Sequence, residues 1–430
     1  LASLPDPWLA LRGLVRAEQV AALSTTAAEV DALRQWRRAA LATLEGMSLP
    51  HRARHLWRYT DPALFLPQAD LNAPAPTPVT AAWRDEEDLA GTVLIAAGAV
   101  QHVTLCEEAR AQGVSITNLH AAPAEVIAQL GAAVPASHGF VEAFNAAAWR
   151  GGVLVRVPPG VRLDRPLRVR LQAPSGRAVG LPRVLLLVGR NAACEVIEGH
   201  GGGGEGVQVL GVSEILLEEG AEVRYNLVQR WEAGVVGHLT AYAHLAAHSR
   251  FTMATAAFGG SVAKTDVGAT LAGEGAESEI LGVAMGAGTQ QLDHHTEHRH
   301  LAGRTRSNLD AKVVLTGGAR SAYTGLIRIA PDAAGCEAYQ ENRNLLLSPD
   351  ARAESIPELE ILNEDVRCTH GATVAPLDPE QLFYLSSRGL PRGQAQRLIV
   401  YGFLDQTLAR LPQATRERLE ALVAARLHTD

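Results

Sequence analysis

The periodicity of apolar positions changes twice along this chain. From residue 5 to 46 apolar residues recur at helical spacing, through Trp8, Leu11, Leu14 and Val15 and then Ala28, Val30, Leu33 and Trp36, which predicts helix. Pro74, Pro76 and Pro78 mark a linker. Residues 91–148 mix a short apolar strand, Val93-Leu94-Ile95, with helical pieces such as 123–130, whose proline suits a first helical position. From about residue 150 short runs rich in Val, Leu and Ile take over, at 153–157, 167–171, 184–188, 213–217, 223–228 and 239–243, separated by glycine-containing turns. Gly220-Ala221, Gly275-Ala276 and Gly318-Ala319 each precede a strand-like run, a loose and irregular repeat. Helical patterning returns at Asp378-Pro379-Glu380, which reads as an N-cap, a proline in the first turn and an acid there. Gly389 ends that helix and Pro391 begins the next, on which Ala395, Leu398, Ile399 and Gly402 form one face; a last helix from about Gln413 places Leu419, Leu422 and Val423 on its apolar side.

Many short strands with turn punctuation are compatible with a barrel, a sandwich or a solenoid. The strand-rich stretch is long for one sandwich, and aromatics, at 5% of the chain, are too scarce to mark propeller blades. A parallel β-helix at roughly 20–25 residues per turn would make about nine turns. The predicted organisation is an N-terminal helical region and linker over 1–90, a small mixed α/β subdomain over 91–149, a strand-rich core over 150–377 and a C-terminal helical domain over 378–430.

Composition narrows the function classes. A chain of 430 residues has room for more than one domain and a large core. A net charge of −7, with lysine only at Lys264 and Lys312, removes the basic face of a general nucleic-acid binder. No run of eighteen apolar residues and no charged-then-apolar leader is present, so a cytoplasmic protein outside the membrane is expected. Cys106, Cys194, Cys336 and Cys368 are far apart and form no Cys-x-x-Cys, which reads as reduced thiols.

Four stretches are candidates for chemistry. Cys368 and His370 stand two residues apart, so on a strand they project from one face, half of a site for iron or an iron–sulfur cluster. In Asp293-His294-His295-Thr296-Glu297-His298-Arg299-His300, the imidazoles of His294, His298 and His300 would share one strand face and could hold zinc or iron; the alternative is a polar strip satisfied by its neighbours. The run Gly199-His200-Gly201-Gly202-Gly203-Gly204 lacks the Gly-Lys-Ser/Thr ending of a phosphate loop and reads as a flexible loop. No Gly-x-Ser-x-Gly or His-Glu-x-x-His is present, and the acid pairs Glu107-Glu108, Asp85-Glu86-Glu87 and Glu218-Glu219 read as solvated turns. Leu382-Phe383-Tyr384-Leu385 carries more apolar and aromatic surface than its own first turn buries, suited to packing on the last strands or to an interface.

Cys368-Thr369-His370-Gly371-Ala372-Thr373, followed by Asp378-Pro379-Glu380-Gln381-Leu382-Phe383-Tyr384-Leu385-Ser386-Ser387-Arg388-Gly389-Leu390, resembles the C-terminal signature of the SufB/SufD family of iron–sulfur cluster assembly scaffolds. The resemblance runs on through Gln340-Glu341-Asn342-Arg343-Asn344-Leu345-Leu346-Leu347-Ser348, Pro357-Glu358-Leu359-Glu360-Ile361, and Gly151-Gly152-Val153-Leu154-Val155-Arg156-Val157-Pro158-Pro159-Gly160 with Pro166. Near the N-terminus it includes Leu49-Pro50 and Trp57-Arg58-Tyr59-Thr60-Asp61, although His55-Leu56 stands where the family often has an acid. It covers roughly residues 49–410.

This resemblance implies a mainly β fold, a right-handed parallel β-helix flanked by N-terminal and C-terminal helical segments. The SufB type is generally longer and often has an N-terminal Cys-x-x-Cys, so this chain resembles the SufD type more, while Cys368 decides nothing because both types can carry that thiol. The implied role is a non-catalytic scaffold that pairs with a SufB-type subunit through edge strands and docks a SufC-type ATPase, which hydrolyses the ATP, on Phe383, Tyr384 and Arg388. His370 would face a cysteine of the SufB-type partner, with a transient iron–sulfur cluster forming between them. Cys368 is the weaker candidate, its pKa lowered by Arg367 and Arg388. No cofactor is expected tightly bound to the isolated chain; a reduced flavin is associated with the complete complex, but no flavin fingerprint is present here. The competing readings are a β-helix metalloenzyme built on His294, His298 and His300, and a homodimer formed through the same edge.

Overall fold

The computed structural model describes residues 15–50, 55–68 and 88–427; Trp8, Leu11 and Leu14, the prolines at 74, 76 and 78, and the acids at 85–87 lie outside the described residues. The fold is mainly β, a parallel β-solenoid of about eight turns with helices at its N-terminal and C-terminal flanks. Two ten-stranded sheets form its walls, the first ending at Val366–Pro376 and the second at Arg352–Ile361; from Gly152–Val157 onward the chain supplies them in alternation, except that Ala178–Gly180 and Arg183–Val188 both join the second. Neighbouring strands in each wall are parallel and in register, except for one antiparallel pair at the N-terminal end of each sheet, Gly91–Ala96 with Ala99–Leu105 and Ser115–Asn118 with Gly152–Val157. Register partners are 28 residues apart for Glu222 and Arg250, 27 for Arg250 and Glu277, and 31 for Arg306 and Glu337. The coil is longer, and the coils fewer, than the sequence predicts, because two strands of about ten residues each replace shorter ones.

In-register stacking sorts side chains into columns that run along the solenoid. One inward-facing column reads Val196, Tyr225, Met253, Ile280, Leu309, Gln340, His370; its neighbour reads Cys194, Val223, Phe251, Ser278, Ser307, Ala338, Cys368. The apolar members of these columns up to Leu309 and Phe251 belong to one continuous buried core, and Ala338 to a smaller cluster with Ile327, Ile329 and Cys336 at the end of the stack. On the outer face an alternating column runs Glu222, Arg250, Glu277, Arg306, Glu337, Arg367, with ion pairs at 3.3 Å (Arg250–Glu277) and 3.6 Å (Arg306–Glu337). Each exposed pair contributes only about 0.2–1 kcal/mol, but a slip of one residue would break every rung, so the column specifies register.

The turns before six consecutive strands of the first sheet, from Ala193–Gly202 to Cys336–Leu346, each hold one residue in the left-handed region: Asn191, Gly220, His248, Gly275, Arg304 and Gly335, with φ between 57° and 70°. Each of these N–H groups donates to a carbonyl of the next coil, on Glu219, Ala247, Glu274, Gly303, Ala334 and Asp365 in turn. Glycine takes this conformation without steric penalty, and the Gly-Ala repeats at 220 and 275 mark it. At the third repeat Gly317 rather than Gly318 has positive φ, in the opposite turn.

The glycine run is not a loop. Gly199, His200, Gly201 and Gly202 belong to strand Ala193–Gly202 and pair with Val228, Gln229, Arg230 and Trp231; the turn begins at Gly203. The strand is held by partners on both sides, which overrides the flexibility of its composition.

Among the described residues the N-terminal helical stretch is divided into Ala17–Thr26 and Asp31–Glu45. Ala28 at φ 51° breaks the pattern, and Val30 becomes an exposed N-cap instead of a core residue. Leu33, Ala40, Leu41 and Leu44 pack with helix Phe140–Ala148 onto the outer face of the second sheet at Leu154, Leu185 and Leu210. Buried Arg37 anchors this layer, paired with Glu29 at 2.7 Å and donating to the Ala147 and Trp149 carbonyls.

At the other flank, helices Arg392–Leu408 and Gln413–Leu427 cover the outer face of the first sheet, with Val400, Leu404, Leu408, Leu419 and Val423 against Phe258, Leu281, Val283 and Met285. The buried face of Arg392–Leu408 keeps Ala395 but otherwise uses Val400, Leu404 and Leu408, and Leu398 is 52% exposed, because the helix lies on middle coils and not on the last one. Among the described residues no helix is long and apolar enough to cross a membrane.

Candidate functional site

The stack ends at strands Arg352–Ile361 and Val366–Pro376, each the last of its sheet, so among the described residues one long edge of each has no neighbouring strand. Such an edge presents unpaired N–H and C=O groups to a partner. Tyr339, Ile361, Leu362 and Val374 add exposed apolar surface here.

Cys368 and His370 both lie in strand Val366–Pro376 and face inward in register with Ala338 and Gln340. They differ in access. Cys368 is half-buried against Ile327, Ile329, Cys336 and Ala338, whereas His370 is exposed. The structure reverses the expected effect of Arg367 and Arg388 on the thiol: burial pushes Cys368 up to about 11. In this arrangement the thiol stays protonated at neutral pH, and of the two side chains the exposed imidazole is the one within reach of another molecule. The inward columns also become polar toward this end, where Gln340 donates to the Gly325 carbonyl, Asn342 to the Ala311 carbonyl, and Asn344 to Asn342 Oδ1 and the Thr373 carbonyl. All four cysteines are free thiols.

His294, His298 and His300 share the inward face of strand Gln291–His300, in register with Tyr323, Ile327 and Ile329. Burial lowers their pKa values to about 4, about 3 and about 4, which leaves neutral imidazoles. His298 Nε2 lies 3.0 Å from Ser278 Oγ, and His300 contacts Thr305 Oγ1 at 2.7 Å and Ser307 Oγ at 2.8 Å. His294 Nε2 and His298 Nδ1 have no hydrogen-bond partner, and a cavity of about 20 Å³ beside His294 has space for about one water. The three rings do not converge: among the described residues, the set of three His, Cys, Asp or Glu side chains whose ligand atoms lie within 4.8 Å of one another is His138, Glu142 and Asp266. Sequence reasoning missed that set. Its one local signal is the i, i+4 spacing of His138 and Glu142, and Asp266 comes from a distant strand.

Trp57-Arg58-Tyr59-Thr60-Asp61 binds the outer face of the same sheet. The Trp57 ring lies 5.0 Å from Lys264 Nζ, Lys264 donates to the Leu56 carbonyl at 2.9 Å, and Thr60 Oγ1 hydrogen-bonds with Asp293.

Helix Pro379–Ser387 starts as its sequence predicts, with Asp378 accepting from the Glu380 N–H. It does not pack on the last coil; it leans on helix Arg392–Leu408 and buries none of its residues. Phe383 is 76% and Tyr384 57% exposed, and the Arg388 guanidinium lies 5.2 Å from the Tyr384 ring centre.

Comparison with known proteins bears on this arrangement. Residues 170–403, more than half of the chain, match the family model described as SUF system FeS cluster assembly, SufBD core domain. An iron-sulfur cluster assembly SufBD family protein of Staphylococcus epidermidis is 28% identical over 292 residues, 67% of this chain and 63% of the relative. Proteins of the same description from Staphylococcus saprophyticus and Staphylococcus aureus are 27% and 28% identical over the same extent. The chain thus spans 63% of the length of these relatives. The solenoid and the matched core together identify the chain as a member of the SufBD family of iron–sulfur cluster assembly proteins.

Proposed function

We propose that this chain is a SufD-type scaffold subunit of the Suf assembly system. It pairs through its open last coil with a SufB-type subunit and docks a SufC-type ATPase on its C-terminal helices. The observation that carries the reading is His370: an inward-facing imidazole left exposed where the stack stops, beside two unpaired strand edges. A partner strand added to that edge would enclose His370 between two chains, and a cysteine thiolate from the partner would complete a mixed sulfur–nitrogen ligand set for the nascent iron–sulfur cluster. Cys368, protonated and half-buried, lines the floor of that site. The exposed Phe383, Tyr384 and Arg388 supply aromatic and guanidinium anchors of the kind that dominate interfaces, suited to the ATPase. ATP hydrolysis belongs to that partner, and the reduced flavin associated with complete complexes of this kind is assigned no residue of this chain.

The test is co-purification with the SufB-type and SufC-type partners, followed by anaerobic cluster reconstitution of wild type and His370→Ala. Loss of cluster from the variant, with the complex intact, is the expected result. Equal cluster yield in the two complexes would remove His370 from the site, and failure of the three chains to associate would remove the scaffold reading.

A further inference from the structure

On the outer face of the second sheet, under Trp57, lies a pocket of about 730 Å³ whose lining includes His138, Glu142, His238, Lys264, Asp266 and Arg299. It is built by two parts of the chain. Helix Phe140–Ala148 and the turn before it bring His138 and Glu142, and strands Val236–Leu245, Val262–Leu271 and Gln291–His300 bring the rest.

The charges on this floor do not balance among themselves. Lys264 pairs with Asp293 at 3.1 Å and Arg299 with Glu297 at 2.6 Å, so both cations are taken. Among the described residues, the ion-pair partners of Glu142 and Asp266 are imidazoles only: His238 for Glu142, and His138 and His295 for Asp266. Both carboxylates are nine-tenths or more buried, and buried carboxylates demand a counter-charge.

The carboxylates are also oriented as ligands are. Asp266 Oδ1 is held by the Tyr242 hydroxyl at 2.6 Å and His295 Nδ1 at 2.6 Å, which leaves Oδ2 toward His138 Nε2 at 2.9 Å. Glu142 Oε1 is held by the Thr240 hydroxyl, and its Oε2 occupies the space that a side chain on Gly139 would fill. Outer partners that fix one carboxylate oxygen and turn the other toward the cluster are the usual support of a metal ligand, and an ion entering here would displace the proton shared by His138 Nε2 and Asp266 Oδ2. One ligand atom each from His138, Glu142 and Asp266 lies within 4.8 Å of the other two.

We propose that His138, Glu142 and Asp266 bind a divalent first-row transition-metal ion on the floor of this pocket. One imidazole with two carboxylates and no thiolate suits zinc, manganese or iron(II) better than calcium or magnesium. The remaining coordination positions face the pocket, where water or an anionic small molecule completes the shell. The site is three coils from the open end and does not rest on the partner-pairing reading.

Zinc titration of the full chain by calorimetry tests this, in a Cys106→Ser/Cys368→Ser/His370→Ala background that removes the two half-buried thiols and the imidazole at the open end. One zinc per chain is expected. His138→Ala and Glu142→Gln each weaken binding by about tenfold or more, and the zinc-induced rise in melting temperature disappears with them. The cobalt(II) form shows no thiolate charge-transfer band. Metal-free denaturation curves establish that each variant is folded; where one is not, the other decides. No uptake by the parent chain, or uptake that a folded variant keeps, overturns the proposal. Co-purification with partner subunits reads the scaffold role separately.

Discussion

Leu309 and His370 occupy the same inward-facing column two coils apart, yet one is sealed in the core and the other meets solvent. Both sit within long parallel strands, so local conformation does not separate them. What separates them is whether another coil follows. Gln340 between them shows the transition: it is still buried, but it is an amide that donates inward to Gly325. The three inward-facing imidazoles of strand Gln291–His300, His294, His298 and His300, make the same point from the other wall. They face inward as His370 does, but coils on both sides close over them, and burial holds them neutral. In a solenoid, position in the stack decides whether an inward histidine fills the core or offers a ligand.

The largest expected effect comes from forcing charge into the sealed half of this comparison. His298 and His300 have folded pKa values of about 3 and about 4, below the ordinary histidine value. As pH falls below about 6.5 the unfolded chain takes up protons that the folded chain refuses, so stability is full above that pH and is lost as pH falls toward the folded values. At pH 5 each imidazole removes about 2 kcal/mol, and His294, lowered to about 4, adds a similar amount, about 6 kcal/mol for the three. Urea denaturation at pH 7 and pH 5 measures the drop, and His298→Gln should reduce it by about 2 kcal/mol, roughly a third. An unchanged drop in that variant would mean that His298 is not sealed.

Much of the architecture was legible in the chain. Strand runs near 153, 167, 184, 213, 223 and 239 lie inside observed strands, and their β-branched and leucine content is what a wall buried on both faces requires. The coil length was harder to read, because polar runs such as Gln291–His300 and Cys336–Leu346 do not look like strands until register places their neighbours beside them. The glycine run misled for the same reason. At the open end, the same-face projection of Cys368 and His370 follows from strand geometry alone, while their unequal access depends on where the stack stops. The pocket under Trp57 was illegible, since Asp266 meets His138 only after the N-terminal layer folds back onto the sheet.

A smaller effect tests the column itself. Leu309→Ala leaves a cavity among close-packed neighbours and should cost about 3 kcal/mol, within the usual 2–5. Gln340→Ala one coil later removes an amide and leaves the Gly325 carbonyl without that donor, about 1–2 kcal/mol. The two values come from denaturant midpoints at constant slope. If Gln340→Ala matches Leu309→Ala, the interior does not loosen toward the open end, and the contrast between the coils is lost.

The smallest effect on folding separates the two regions on their outer face. Arg306 sits between Glu277 and Glu337 in the charge column, whereas Arg367 has Glu337 on one side and the open edge on the other. Arg306→Glu creates two like-charge contacts and should destabilise the chain by about 1 kcal/mol; Arg367→Glu creates one, about half as much. For association the order inverts. A parallel or antiparallel strand added by the SufB-type partner would continue the alternation at Arg367, which calls for an acidic rung on the partner. Arg367→Glu should therefore slow partner binding severalfold at low salt, with the deficit shrinking as ionic strength rises, and Arg306→Glu should leave the binding rate alone. Equal loss of partner binding in the two variants would mean that the edge beside His370 is not where the chains meet.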